Sequence, residues 1–178
     1  MKSNLLHICF VLDESGSMYG SVGDVIGGFQ KLIDEQKQLK DGECIISVYR
    51  FATTVKCDYL GKDVNEIPAL KYEPGGCTAM NDGIGTAIDE VGLWLSDMDE
   101  FERPSKNLIV ITKLFPYNFT EAFLESETPF LQEKFKKIIF MPLLKGRIRP
   151  NFSSLTVDDS YNILYSKKTI MIIRILFS

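Results

Sequence analysis

The apolar run Ile8-Cys9-Phe10-Val11-Leu12 stops at Asp13, and Glu14, Ser15, Gly16 and Ser17 follow at once. A continuous run of this length reads as a parallel strand with both faces covered, because a strand with one wet face would alternate apolar and polar side chains. Such a strand needs helices on both sides of its sheet, which makes the fold class α/β. The polar cluster then falls at the strand's carboxyl end, the edge along which open α/β sheets bind ligands.

The rest of the chain is consistent with that frame. Residues 21–40 carry Val22, Val25, Ile26, Phe29, Leu32, Ile33 and Leu39 at helical spacing, opposite Asp24, Lys31, Asp34, Glu35 and Lys37. Asp41-Gly42 signals a turn. Residues 43–51 and 53–60 read as two strands, joined too closely for a helical crossover and therefore an antiparallel hairpin at one sheet edge. A turn-rich loop with Pro68 and Pro74-Gly75-Gly76 leads to a second helical stripe, Met80, Ile84, Ala87, Ile88, Val91, Leu95 and Met98. Residues 107–112 (NLIVIT) are a further buried strand. Together these predict one doubly wound, Rossmann-like three-layer sandwich spanning 1–178. Its central sheet is mostly parallel, with one antiparallel edge strand.

Composition excludes some functions. A net charge of −4 lacks the basic face a nucleic-acid binder needs. No apolar run reaches the length of a membrane span. Strand-like sequence from the first residues leaves no room for a signal peptide, so a cytoplasmic location is expected. Cys9, Cys44, Cys57 and Cys77 form no CxxC pair and lie in or beside apolar stretches, which predicts reduced, mostly buried thiols.

The chemistry of residues 13–17 points to a small hard cation. Asp13, Ser15 and Ser17 offer one carboxylate and two hydroxyls within five residues, with Gly16 expected to let the loop fold tightly. Mg²⁺ favours such hosts: few carboxylates, hydroxyls and retained waters. Against this stands a plain polar turn that caps the next helix. Thr78, just before the second helix, suits either an N-cap or a ligand. Asp82, in that helix's first turn, reads as a structural partner of the helix dipole.

The DESGS stretch resembles the DxSxS signature of von Willebrand factor type A domains, and GGCTAMNDGIG resembles the threonine loop of the same family. The resemblance covers about residues 5–112. It implies a metal-ion-dependent adhesion site, with Asp13, Ser15, Ser17 and Thr78 holding Mg²⁺ or Mn²⁺ directly or through water. It also implies a protein partner whose acidic residue completes the coordination, recognition without enzymatic chemistry, and kinship with stand-alone bacterial and phage domains. The family's third segment, Thr-Asp-Gly, is replaced by Thr112-Lys113-Leu114. Lys113 puts a repelling charge where a carboxylate belongs.

The chain's character changes at that point. Residues 114–178 hold one glycine of 13 and eight phenylalanines of 12. Either they are a divergent end of the fold, with a helix over 119–137 and strands at 137–143 and in the terminal KKTIMIIRILFS, or they are foreign sequence from a shifted reading frame. A third reading makes Lys113 a functional stand-in for the cation, and a degenerate metal-free scaffold is a corresponding alternative.

Enzymatic readings fare less well. A haloacid-dehalogenase-like phosphotransferase would use Asp13 as nucleophile, Thr112, a lysine and Asp158-Asp159, but needs a second aspartate where Ser15 stands. No GxxxxGK[ST] or GxSxG motif is present. Cys77 with His7 as base is a nucleophile pair on paper. His7 in an apolar strand is more simply a satisfied core histidine, and Cys77 a packed thiol.

Overall fold

A computed structural model describes residues 1–39 and 42–112, together with the backbone of 138–142 and 170–175. The expected helix over 119–137, Lys113 and Asp158-Asp159 lie outside the described residues. The elements are β1 (Lys2–Asp13), α1 (Val22–Lys37), β2 (Glu43–Phe51), β3 (Val55–Asp63), α2 (Met80–Asp97), β4 (Pro104–Thr112), β5 (Ile138–Pro142) and β6 (Ile170–Ile175). Short 3-10 turns occupy Gly16–Ser21 and Val64–Glu66.

The opening run is the middle of β1, and its alternation sorts the core into two layers. Ile8, Phe10 and Leu12 pack with Val25, Phe29, Leu32 and Ile33 of α1. Cys9 and Val11 pack on the other face with Met80, Ile84, Ala87, Ile88, Val91 and Leu95 of α2. One helix thus covers each face, as a continuous apolar strand requires. The fold is a doubly wound α/β sandwich.

The sheet order is β3-β2-β1-β4-β6-β5. β1 is parallel to both β2 and β4, and β3 closes one edge antiparallel to β2. On the far side β6 runs antiparallel to β4, and β5 antiparallel to β6. Both strands proposed for the tail therefore join the sheet. The chain leaves β1 through α1 toward β2 on one side, and returns through α2 to β4 on the other. That reversal places the topological switch point at the carboxyl ends of β1 and β4, where Asp13 and Thr112 stand.

Several local expectations shift. α1 ends at Lys37 with Gln38 as its C-cap, and Leu39 is exposed rather than part of the stripe. β3 begins at Val55, because Ala52 N–H donates to Thr54 O at 3.0 Å and spends residues 52–54 on the turn. Cys9 and Cys44 are buried, but Cys57 on the edge strand and Cys77 in a loop are exposed. Among the described residues no helix is long and apolar enough to cross a membrane.

His7 is the satisfied core histidine expected. Gly61 N–H donates to Ser47 Oγ at 2.9 Å, Ser47 Oγ lies 2.8 Å from His7 Nε2, and His7 Nδ1 lies 3.1 Å from Asn107 Oδ1. The consistent assignment has Ser47 donating to Nε2 and Nδ1–H donating to Asn107. This polar line crosses β3, β2, β1 and β4 through the apolar interior. Burial holds the imidazole pKa down at about 4, against a raising contribution from Asn107.

Gly61 cannot be replaced without strain. Its φ is +65°, and a Cβ there would lie 2.1 Å from the Trp94 ring. Gly61→Ala combines a left-handed backbone penalty with overpacking, so it should destabilise by about 2 kcal/mol or more. Urea denaturation measures this. A loss below about 0.5 kcal/mol, the range of neutral surface changes, would contradict the packing of Trp94 over this part of β3.

Candidate metal-binding site

Asp13 ends β1 in full burial and Ser15 is 1% exposed, whereas Ser17 faces solvent. The turn after the strand folds back so that Ser15 N–H donates to Asp13 Oδ1 at 2.9 Å. The hydroxyls of Ser15 and Ser17 share a hydrogen bond at 3.0 Å. Asp13 Oδ2 is buried and has no hydrogen-bond partner among the described residues. A buried acceptor left in that state costs about 1–3 kcal/mol, more when charged, a cost that a positive group placed there would relieve.

Two further contacts hold Asp13 by its backbone, and a third holds its neighbour Glu14. Its N–H donates to Thr112 Oγ1 at 3.2 Å, and the buried Tyr72 hydroxyl donates to its carbonyl. Burial, with Asp13 and Glu14 beside it, pushes the Tyr72 phenol well above its usual range, so it remains a donor. Glu14 N–H donates to Phe51 O at 2.8 Å, which ties the turn to the end of β2.

The threonine loop packs directly on this turn. Gly75 N–H donates to Glu14 O at 2.8 Å and Gly16 N–H to Gly76 O at 3.2 Å. On its other side Cys77 N–H donates to Thr53 Oγ1 at 3.1 Å, and Ala79 N–H to Ala52 O at 2.8 Å. The tight glycine is Gly76, not Gly16. Gly76 has φ +72°, and a Cβ there would meet Thr53 Oγ1 at 2.5 Å, whereas one on Gly16 would find ordinary contact at 3.5 Å. Gly16 therefore does not shape the loop as the motif suggested.

The loop contacts bring the segment holding Thr78 onto the segment holding Asp13, Ser15 and Ser17. Thr78 itself is exposed, and the N-cap of α2 is Ala79, which makes no side-chain cap. The capping role considered for Thr78 is thus absent, because the helix begins one residue later. Asp82 lies exposed in the first turn of α2, as a dipole partner should. Cys77 and His7 do not form a pair. Both imidazole nitrogens are engaged by Ser47 and Asn107 inside the sheet.

The donor set fits a hard cation. Asp13 contributes a free carboxylate oxygen, Ser15 and Ser17 add hydroxyls, and no group of three or more His, Cys, Asp or Glu gathers among the described residues. That pattern suits Mg²⁺ or Mn²⁺ with retained waters, and not zinc or a calcium cage.

The residues missed in the sequence are those that brace the site. Arg50 Nη1 donates to Glu14 Oε1 and Oε2 at 2.8 and 3.0 Å. Its Nε and Nη2 donate to Asp58 at 2.6 and 2.7 Å. Hydrogen bonds to Asp58, and next those to Glu14, raise the guanidinium pKa against the opposing effect of burial. An arginine inside the apolar stretch Val48–Phe51 was the available signal, since a charge there needs partners. Tyr72 carried none.

No family model matches the chain, and no curated protein matches it. Among solved structures, the ArnB paralog VWA2 from Sulfolobus acidocaldarius is similar over 49% of this chain, with 18% identity and a TM-score of 0.38. The chain's match spans 23% of that structure's length.

Proposed function

We propose that this chain is a recognition module of the von Willebrand factor type A kind, with Mg²⁺ or Mn²⁺ held by Asp13, Ser15, Ser17 and Thr78. The supporting observation is Asp13 Oδ2, buried and without a hydrogen-bond partner among the described residues, on the same turn as the paired Ser15 and Ser17 hydroxyls at the switch point of the sheet. A bound ion supplies an open coordination position for a carboxylate oxygen. The partner is then a protein presenting an accessible Asp or Glu, and the chain performs no bond chemistry of its own. Asp13 stays oriented by Ser15 N–H, and its backbone is fixed by Thr112 and Tyr72.

Thermal unfolding in Mn²⁺ against EDTA tests the cation. A ligand that binds only the folded state adds about 2.7 kcal/mol at a hundredfold excess over Kd. Wild type should unfold at a higher temperature in Mn²⁺. Asp13→Ala should show no response, and Lys113→Asp a larger one, since it restores the missing carboxylate. A response confined to Lys113→Asp would make the natural chain a metal-free scaffold. No response in either would overturn the reading, as would turnover of a generic phosphate ester.

A further inference from the structure

We infer that Glu14 and Arg50 are positioning residues: they fasten the 72–79 loop to the Asp13 turn and so set the site's affinity for a cation, an inference that rests on the reading above. Glu14 is adjacent to Asp13 but points elsewhere. Its side chain is 11% exposed and that of Arg50 19%, so the pair sits largely out of water. Charges in such a place persist only when paired and fully hydrogen-bonded.

The bonding meets that requirement and has a direction. Asp58, on the edge strand β3, takes one side of the guanidinium, and Glu14 takes Nη1 with both oxygens. Glu14 Oε1 also accepts from Glu73 N–H at 2.9 Å, while Glu14 O accepts from Gly75 N–H at 2.8 Å. Side chain and backbone of one residue thus hold both ends of the Glu73–Gly75 segment. That segment leads into Gly76, Cys77 and Thr78. A line of bonds therefore runs from the outer hairpin, through Arg50 and Glu14, to the loop that faces Asp13.

Electrostatics and positioning make opposite forecasts for loss of Arg50. The three groups Glu14, Arg50 and Asp58 sum to a single negative charge. Removing the guanidinium leaves more negative charge near Asp13, which by Coulomb attraction alone would tighten cation binding. If Arg50 acts by positioning, binding weakens instead. Loss of a residue that orients a metal ligand weakens affinity by about 10–100-fold.

The experiment compares wild type, Glu14→Gln, Arg50→Gln and Arg50→Lys, the last keeping the charge while losing the two-sided fork. Mn²⁺ binding is followed by the paramagnetic resonance signal of free Mn²⁺, and amide hydrogen exchange is followed at Gly16, Glu73 and Gly75. We expect Mn²⁺ affinity to fall about tenfold or more in Glu14→Gln and Arg50→Gln, with a smaller fall in Arg50→Lys. Exchange at the three amides should accelerate while amides of α1 keep their wild-type rates, which shows that the variants remain folded. Tighter Mn²⁺ binding in Arg50→Gln, or unchanged exchange at Glu73 and Gly75 in all three variants, would overturn the inference. Absence of Mn²⁺ binding by wild type would overturn the cation reading and the affinity half of this one. Exchange would still decide whether Glu14 and Arg50 hold the loop.

Discussion

Phe51→Ala should lose about 3–5 kcal/mol of stability, the range for emptying a fully buried aromatic position. Phe51 has no exposed surface, ends β2 in register with Asp13, and its carbonyl receives Glu14 N–H. On its other side α2 approaches so closely that a Cβ on Gly83 would lie 2.7 Å from the Phe51 ring and Cβ. The two positions should therefore couple. Gly83→Ala overpacks and should cost about 1–3 kcal/mol in the wild-type background. In Phe51→Leu, a smaller and more flexible neighbour, the same change should cost less or even stabilise. Urea midpoints for the four proteins of that cycle give the coupling energy. Strict additivity, or a Phe51→Ala loss near 1 kcal/mol, would mean that α2 does not sit on Phe51 as described.

Much of this architecture was legible because local pattern and global fold agree. Ile8 to Leu12 announced a strand with two buried faces, and the helical stripe from Met80 to Leu95 announced the layer that covers one of them. The short spacing after Phe51 forced a hairpin. The site was legible in part. Asp13, Ser15 and Ser17 are neighbours in sequence, so their proximity needed no tertiary knowledge, and the Pro74-Gly75-Gly76 turn marked the loop that meets them. What stayed hidden depends on residues far apart in the chain. Glu14 stands between two motif residues with nothing local to give it a role, yet it pairs with Arg50, 36 positions later. Tyr72 carries no local signal, yet its hydroxyl reaches Asp13 across 59 positions. A hydroxyl just before a helix suits a cap as well as a ligand, so sequence position alone leaves the role of Thr78 open. Only the backbone shows that Ala79 takes that place.

The second large effect is a loss of stability on mild acidification that one side chain controls. The chain has a single histidine, so between about pH 6.5 and the carboxylate range His7 is the group whose titration dominates. Unfolded, it takes up a proton near 6.5; folded, burial delays protonation to about 4. As the pH falls through that window the unfolded state binds the proton first, and stability declines. The linkage amounts to about 2 kcal/mol lost by pH 5 and about 3 kcal/mol by pH 4, and it levels off a few tenths beyond that once the pH is well below the folded pKa. Above about pH 6.5 the contribution is fully present. The structural reason is the polar line through the sheet. A protonated imidazole would donate from both nitrogens, and Nε2 now accepts from Ser47, whose own Oγ already receives Gly61 N–H. Ser47 would have to turn its hydroxyl away, although it is fully buried within the sheet. His7→Gln keeps a donor and an acceptor but does not titrate, so its urea midpoint should hold steady from pH 7 to pH 5 while that of wild type falls. Equal pH dependence in the two proteins would show that the imidazole reaches solvent or a hidden acceptor, and that the chain from Gly61 to Asn107 is not the closed network its distances describe.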